Sequence, residues 1–304
     1  MSATKPSWQH RLVVAMLRPF GLGRRTPEQL HASIKKRDAK WKPPVPPARV
    51  LRGVSATSSD LLGWPVWTLA PQDSASQTRG VVIAVHGGGY TSEIIYPHWA
   101  FYSSLVRETG VDVIAPIYPL APHGTASKIV PLIADLIAEQ VERRGSAQVG
   151  VEGDSAGAGL LLAAMQLLVK RGAALPARMV LISPWLDATV SDPRSRLVDD
   201  PLLNIAALRE AGRLWAGELD PSDPRVSPIN GSLKGLPPTF VLSGSLDILY
   251  PDSLRLRDLA QQEAVDFSFD LREGLLHGWS GFSILPEAKE VAPRIVERLT
   301  GVSN

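Results

Sequence analysis

The chain has 304 residues, 44% apolar and 20% charged, with 32 basic against 30 acidic side chains and no cysteine. A chain of this make-up buries a core without staples, as one large domain or two small ones. The near-balance of charge gives no reason to invoke nucleic acid, and the lack of cysteine excludes disulfides, thiol catalysis and cysteine-ligated zinc.

In chain order, basic residues flank an apolar run at 12–17. That run is too short for a leader core and far too short to span a bilayer. It reads as an amphipathic helix, resting either on the body of the same protein or peripherally on a membrane; stable insertion is not expected. Thr26 and Pro27 open a second helix, since proline suits the first helical position. His10 and His31 are expected at the surface of these helices. Lys42 to Pro47 is a stiff proline-rich linker. Residues 1–47 are thus expected as cap helices and linker, and 48–304 as the main domain.

Two antiparallel strands are predicted at 49–55 and 64–69, joined by a polar turn. From Gly80 onward strands and helices alternate. The apolar runs at 81–85, 111–117, 149–152, 179–182 and 239–242 read as buried strands, with a weaker one at 267–271. Helices are predicted at 99–109, 128–143, 156–170, 252–263 and 287–299. This alternation implies an α/β fold with a mostly parallel central sheet flanked by helices. More than fifty residues separate the strand ending at Ile182 from the one starting at Thr239, whereas a crossover needs about a dozen. The excess, about 187–228, is expected as an inserted lid that completes a helical cap with the N-terminal helices.

One stretch organises the chemistry. Val149 and Val151 lead into Gly153-Asp154-Ser155-Ala156-Gly157, and good helix formers follow. This is a strand, a very tight turn and a buried helix, with Ser155 at the tip. The flanking glycines let strand and helix approach closely. The first helical amides, lacking intrahelical partners, favour negative charge beside the serine. Such a serine needs a base, a group that orients the base, and donors for an oxyanion. His277 follows the last strand in a Leu-His-Gly-Trp loop and is the expected base. Asp247 follows the preceding strand and is the expected orienter. Asp252 competes, but near the start of a helix an acid also serves as a cap. The order Ser, Asp, His is that of α/β-hydrolases. Three glycines, Gly87, Gly88 and Gly89, follow the strand at 81–85, so backbone amides there can face inward without obstruction. A phosphate-binding turn is the alternative, but no Lys-Ser/Thr follows. His86 is expected to brace this loop.

His86 to Tyr90 (HGGGY), GDSAG at 153–157, the Asp247 segment and His277-Gly278 together resemble the bacterial hormone-sensitive-lipase family of esterases, from about Gly80 to the C-terminus. The resemblance implies an α/β-hydrolase fold with a cap, carboxylester hydrolysis, and oxyanion donors at Gly88, Gly89 and Ala156, with Gly87 and His86 in support. It departs from the family pattern at Pro119 and His123, where the family has Arg and Glu, and at Gly159, where Asn is common. The expected activity is serine carboxylester hydrolysis of short- to medium-chain acyl esters through an acyl-enzyme, without metal or cofactor. Rivals are a lactone hydrolase or acyltransferase on the same site, or a non-catalytic ligand-binding protein of this fold, which the presence of His277 opposes. Trp185, Trp215 and Tyr90 either line the pocket or merely pack. A cytoplasmic monomer or homodimer acting on a small-molecule ester is expected.

Overall fold

The computed structural model describes residues 5–60, 63–72 and 80–302. Two helices come first, α1 (Trp8–Leu17) and α2 (Pro27–Ala39). Thr26 Oγ1 accepts from the Gln29 amide while the Gln29 side chain accepts from the Thr26 amide, so α2 begins in a reciprocal cap. The proline-rich segment then leads to β1 (Val54–Ser59) and β2 (Val66–Pro71). The first strand starts later than its sequence suggests, because Ala48–Val50 forms a helical turn. β1 is an edge strand of mostly exposed Ser and Thr held by backbone pairing to β2, which apolar patterning does not signal.

The alternating part comprises β3 (Val81–Val85), α3 (Tyr96–Thr109), β4 (Asp112–Pro116), α4 (Ala126–Arg144), β5 (Val149–Asp154), α5 (Ala156–Lys170) and β6 (Arg178–Ile182). After the insertion, which holds α6 (Ile205–Ala216), come β7 (Thr239–Leu246), α7 (Tyr250–Gln262), β8 (Phe267–Leu276) and α8 (Pro286–Thr300). The eight strands lie in the order β1-β2-β4-β3-β5-β6-β7-β8. β2 pairs antiparallel with both β1 and β4, and every other pair of neighbours is parallel.

Alternate residues of each central strand serve opposite layers. Val81, Ile83 and Val85 pack with α4 and α5 (Ile133, Leu160), whereas Val82 and Ala84 pack with α3 and α8 (Trp99, Val291). A strand covered on both faces must be apolar throughout, which is why these runs are legible.

The N-terminal segment and the insertion meet. Gly23 N donates to Pro201 O, the Asn204 side chain donates to Gly23 O, and His31 Nε2 donates to Glu210 Oε1 at 2.6 Å. A Cβ on Gly23 would stand 2.1 Å from Asp200 O, so this crossing needs glycine. His31 is exposed, but His10 is buried: its Nε2 accepts from the Leu276 amide at 3.1 Å. The surface expectation for His10 fails because α1 lies against the body and this residue faces inward.

Candidate active site

Ser155 is held in the left-handed half of backbone space, at φ 52° and ψ −120°. The strain is retained because the surroundings over-determine it. Its amide donates to Ile182 O at 2.8 Å and its carbonyl accepts from Trp185 N at 3.0 Å. A Cβ on Gly153 would lie 2.7 Å from the Gly157 backbone, and one on Gly157 would lie 2.0 Å from Val85 O. Both glycines are therefore steric requirements of the turn.

The glycine loop crosses in front of this turn. Gly87 N donates to Asp154 Oδ1 at 2.8 Å, and His86 Nδ1 donates to Gly87 O at 2.7 Å. Tyr118 Oη donates to His86 O at 2.7 Å and its ring stacks on the imidazole. Burial, with the nearby His98, pushes His86 down to about 4, so it is a neutral brace. Burial opposes ionisation of Asp154, but His98 and the Gly87 amide outweigh it and hold its carboxyl below the usual range. His98 accepts from the Ile95 amide on Nδ1 and donates from Nε2 to Asp154 Oδ1 at 3.1 Å. With Gly87 N committed to Asp154, the amides of Gly88, Gly89 and Ala156 remain; they have no acceptor among the described residues.

His277 Nδ1 donates to Asp247 Oδ2 at 2.7 Å. Asp247 is fully buried, and its other oxygen accepts from the Leu249 amide at 2.8 Å. Burial lowers the His277 pKa, but Asp247's charge and hydrogen bond prevail, with help from Asp200 and Asp154, and raise it to about 9. Asp252, the sequence competitor, is elsewhere: it accepts from Asp187 N at 3.0 Å and pairs with Arg255. Ser155 and His277 face one cavity of about 440 Å³ without a direct hydrogen bond between them. Gly88, Gly89, Arg25, Leu30 and the apolar side of α6 (Ala207, Leu208, Ala211) also line it. Tyr90, Trp185 and Trp215 do not; they form a buried stack, the Tyr90 and Trp215 rings 4.1 Å apart.

The profile of the alpha/beta hydrolase fold family matches residues 82–281. A triacylglycerol lipase of Mycobacterium tuberculosis is 38% identical over 237 residues, covering 78% of this chain and 49% of that protein. This chain therefore spans about half of that relative's length. An esterase of Acinetobacter venetianus is 34% identical over 76% of this chain and 77% of its own length. A crystal structure of an esterase from the bacterial hormone-sensitive lipase family superposes with a TM-score of 0.79 at 26% identity, over 98% of this chain and 99% of the other. The chain belongs to the hormone-sensitive-lipase type of α/β hydrolases. Against that family's pattern, Pro119 and His123 are compensated in space by α2. Arg37 donates to Thr91 O at 2.9 Å and Ala121 O at 3.1 Å, and His123 Nε2 donates to Asp38 Oδ2 at 3.0 Å. Gly159 is not free to be Asn: a Cβ there would lie 2.2 Å from Trp185 O and 2.8 Å from Tyr90 Oη.

Two residues escaped sequence reasoning. Asp200, in the insertion, accepts from Leu202 N and Leu203 N on one oxygen and from Ile248 N at 3.0 Å on the other. Burial and the facing Asp247 push it up to about 6. Glu152, in β5, is buried without a partner for its Oε2. Burial first, and Asp154 second, hold its carboxyl well above the usual range. A carboxylate inside an apolar strand is itself a sequence signal of unusual chemistry.

Proposed function

We propose that this chain is a serine carboxylic ester hydrolase that works through an acyl-enzyme. The carrying observation is the 2.7 Å bond from His277 to buried Asp247, in a cavity shared with the strained Ser155 and three amides that lack acceptors. The names of its relatives, lipase and esterase, support the same reading.

In the proposed sequence, His277 Nε2 takes the proton of Ser155 Oγ as that oxygen attacks the ester carbonyl. Asp247 keeps the other ring proton on Nδ1 and stabilises the imidazolium. The carbonyl oxygen becomes an oxyanion held by the amides of Gly88, Gly89 and Ala156. Collapse expels the alcohol, which receives the proton from His277. Water then adds to the acyl-enzyme with the same proton transfers, and the carboxylic acid leaves. His86, Asp154 and His98 act on the glycine loop's shape, not on the reacting atoms.

Residues 1–47 and the insertion at about 187–228 are proposed as the cap, because Leu30 of α2 and Ala207, Leu208 and Ala211 of α6 line the cavity that holds Ser155. The apolar wall and a volume of about 440 Å³ suit acyl chains of short to medium length. The test is hydrolysis of nitrophenyl esters graded from acetate upward, with Ser155→Ala alongside. Equal rates for wild type and variant would refute the reading. A rising preference for the longest chains would refute the short- to medium-chain assignment alone.

A further inference from the structure

The outer side of α1 is not accounted for by the fold. His10 and Val13 are buried against the body. On the other side Trp8, Leu12 and Met16 follow at four-residue spacing, and Phe20 continues the row just beyond the helix; they are 64%, 51%, 62% and 76% exposed. Single exposed apolar residues are ordinary, but a row of large ones marks a contact surface. A helix apolar on both sides is expected to be covered on both.

Charge indicates what covers it. The first 27 residues contain Lys5, Arg11, Arg18, Arg24 and Arg25 and no acidic residue. Lys5, Arg11, Arg18 and Arg24 are exposed. Among the described residues only Arg18 of this set has a carboxylate partner, Asp199 at 2.6 Å. Arg11 and Arg18, seven residues apart, flank the apolar row on one side. Pairing this face with a second copy would set basic flank against basic flank, so the charge pattern favours an anionic surface. A helix of 10 residues is about 15 Å long, which suits lying in an interface rather than crossing a bilayer.

We propose that α1 docks the protein on an anionic phospholipid surface, with Trp8, Leu12, Met16 and Phe20 entering the interface and Lys5, Arg11 and Arg24 facing the headgroups. The helix can do this without leaving the body. Its inner attachments, Ser7 N and Oγ to Glu287 at 2.6 and 3.0 Å and His10 to the Leu276 amide, use none of the outer side chains. Because Leu276 adjoins His277, the docked helix holds the catalytic loop's backbone close to the lipid. Esters that partition into bilayers would then be met where they dissolve.

The docking stands apart from the hydrolase reading, so its test uses no substrate. Full-length protein is co-sedimented with vesicles of phosphatidylcholine alone and with about 30 mol% phosphatidylglycerol. Wild type should pellet with the anionic vesicles and be largely released at about 1 M salt. The double variant Leu12→Ser/Met16→Ser should lose binding about tenfold or more, and Arg11→Gln/Arg24→Gln should lose the preference for anionic lipid. Unchanged melting temperatures show that both variants are folded. Wild type left in the supernatant, or pelleting no better than Leu12→Ser/Met16→Ser, overturns the proposal. So does a concentration-dependent dimer, seen by light scattering and abolished by the same double variant, without vesicle binding; that result would give the face to a second copy.

Discussion

Asp200 Oδ2 accepts the Ile248 amide at 3.0 Å, one residue beyond Asp247, so the insertion grips the very loop that carries the triad's proposed acid. Its charge also reaches His277, whose pKa it helps to raise. In the proposed mechanism His277 must be neutral to act as a base, so kcat/KM is expected to rise with pH through its pKa. Removing the carboxylate lowers that pKa, so Asp200→Asn should move the acid limb of kcat/KM to lower pH, by about half a unit or more. The amide oxygen can keep the Leu202 and Leu203 bonds, but the Ile248 amide loses its acceptor, so melting temperature should fall as well. A lower melting temperature with an unmoved acid limb would leave Asp200 as structural support only.

The two aspartates near the end of β7 should separate cleanly. Asp247→Asn keeps the shape but disturbs the imidazole tautomer, and turnover should fall by about 10³ to 10⁴. Asp252, pushed up to about 7 mainly by burial, binds Asp187 N instead. Asp252→Asn should keep turnover within a few-fold. Steady-state kinetics of both variants checks this, and reversed results would reassign the orienter.

Gly159→Ala tests a contact that no local pattern shows. The added Cβ would meet Trp185 O at 2.2 Å and Tyr90 Oη at 2.8 Å, neither of which sits on a long flexible arm. Overpacking of this kind costs about 1–3 kcal/mol. Thermal unfolding should register it, and a melting temperature equal to wild type would show that α5 can shift away from Trp185.

Glu152 makes a pH-dependent prediction. Its folded pKa lies well above the ordinary value of 4.5, through burial and then Asp154. The folded state therefore holds this proton more tightly than the unfolded chain does. Wild type loses stability as pH climbs above about 4.5, until the raised value is passed. Glu152→Gln carries no such proton. Its advantage in unfolding free energy should grow between about pH 5 and pH 8, by at most about 1.4 kcal/mol per unit. A difference that stays flat across that range would mean that Glu152 ionises normally in the fold.

Legibility in the sequence followed the range of the constraint. The buried parallel strands could be read because each must be apolar on both faces, whereas the bounds of β1 could not, since an exposed edge strand is held by backbone pairing. β8 runs on to Leu276, past its expected end near Leu271, because polar Arg272 still pairs with Gly244 and, beyond an irregularity in the register, Leu276 pairs with Leu246. His10 looked like a surface residue because nothing within its own helix reveals that Leu276 lies beneath it.

By itself the sequence determined the elbow at Ser155, the glycine loop and the alternating architecture, because close approach and two-sided burial are demands on adjacent residues. Tertiary structure alone decided that Arg37 of α2 supports the loop whose family arginine is replaced by Pro119, and that Asp200 joins the insertion to the loop after β7. These partners lie from 48 to 84 residues apart in the chain. Their hydrogen bonds exist only where the packed sheet and the α2–α6 contact bring them together, so no local spacing encodes them.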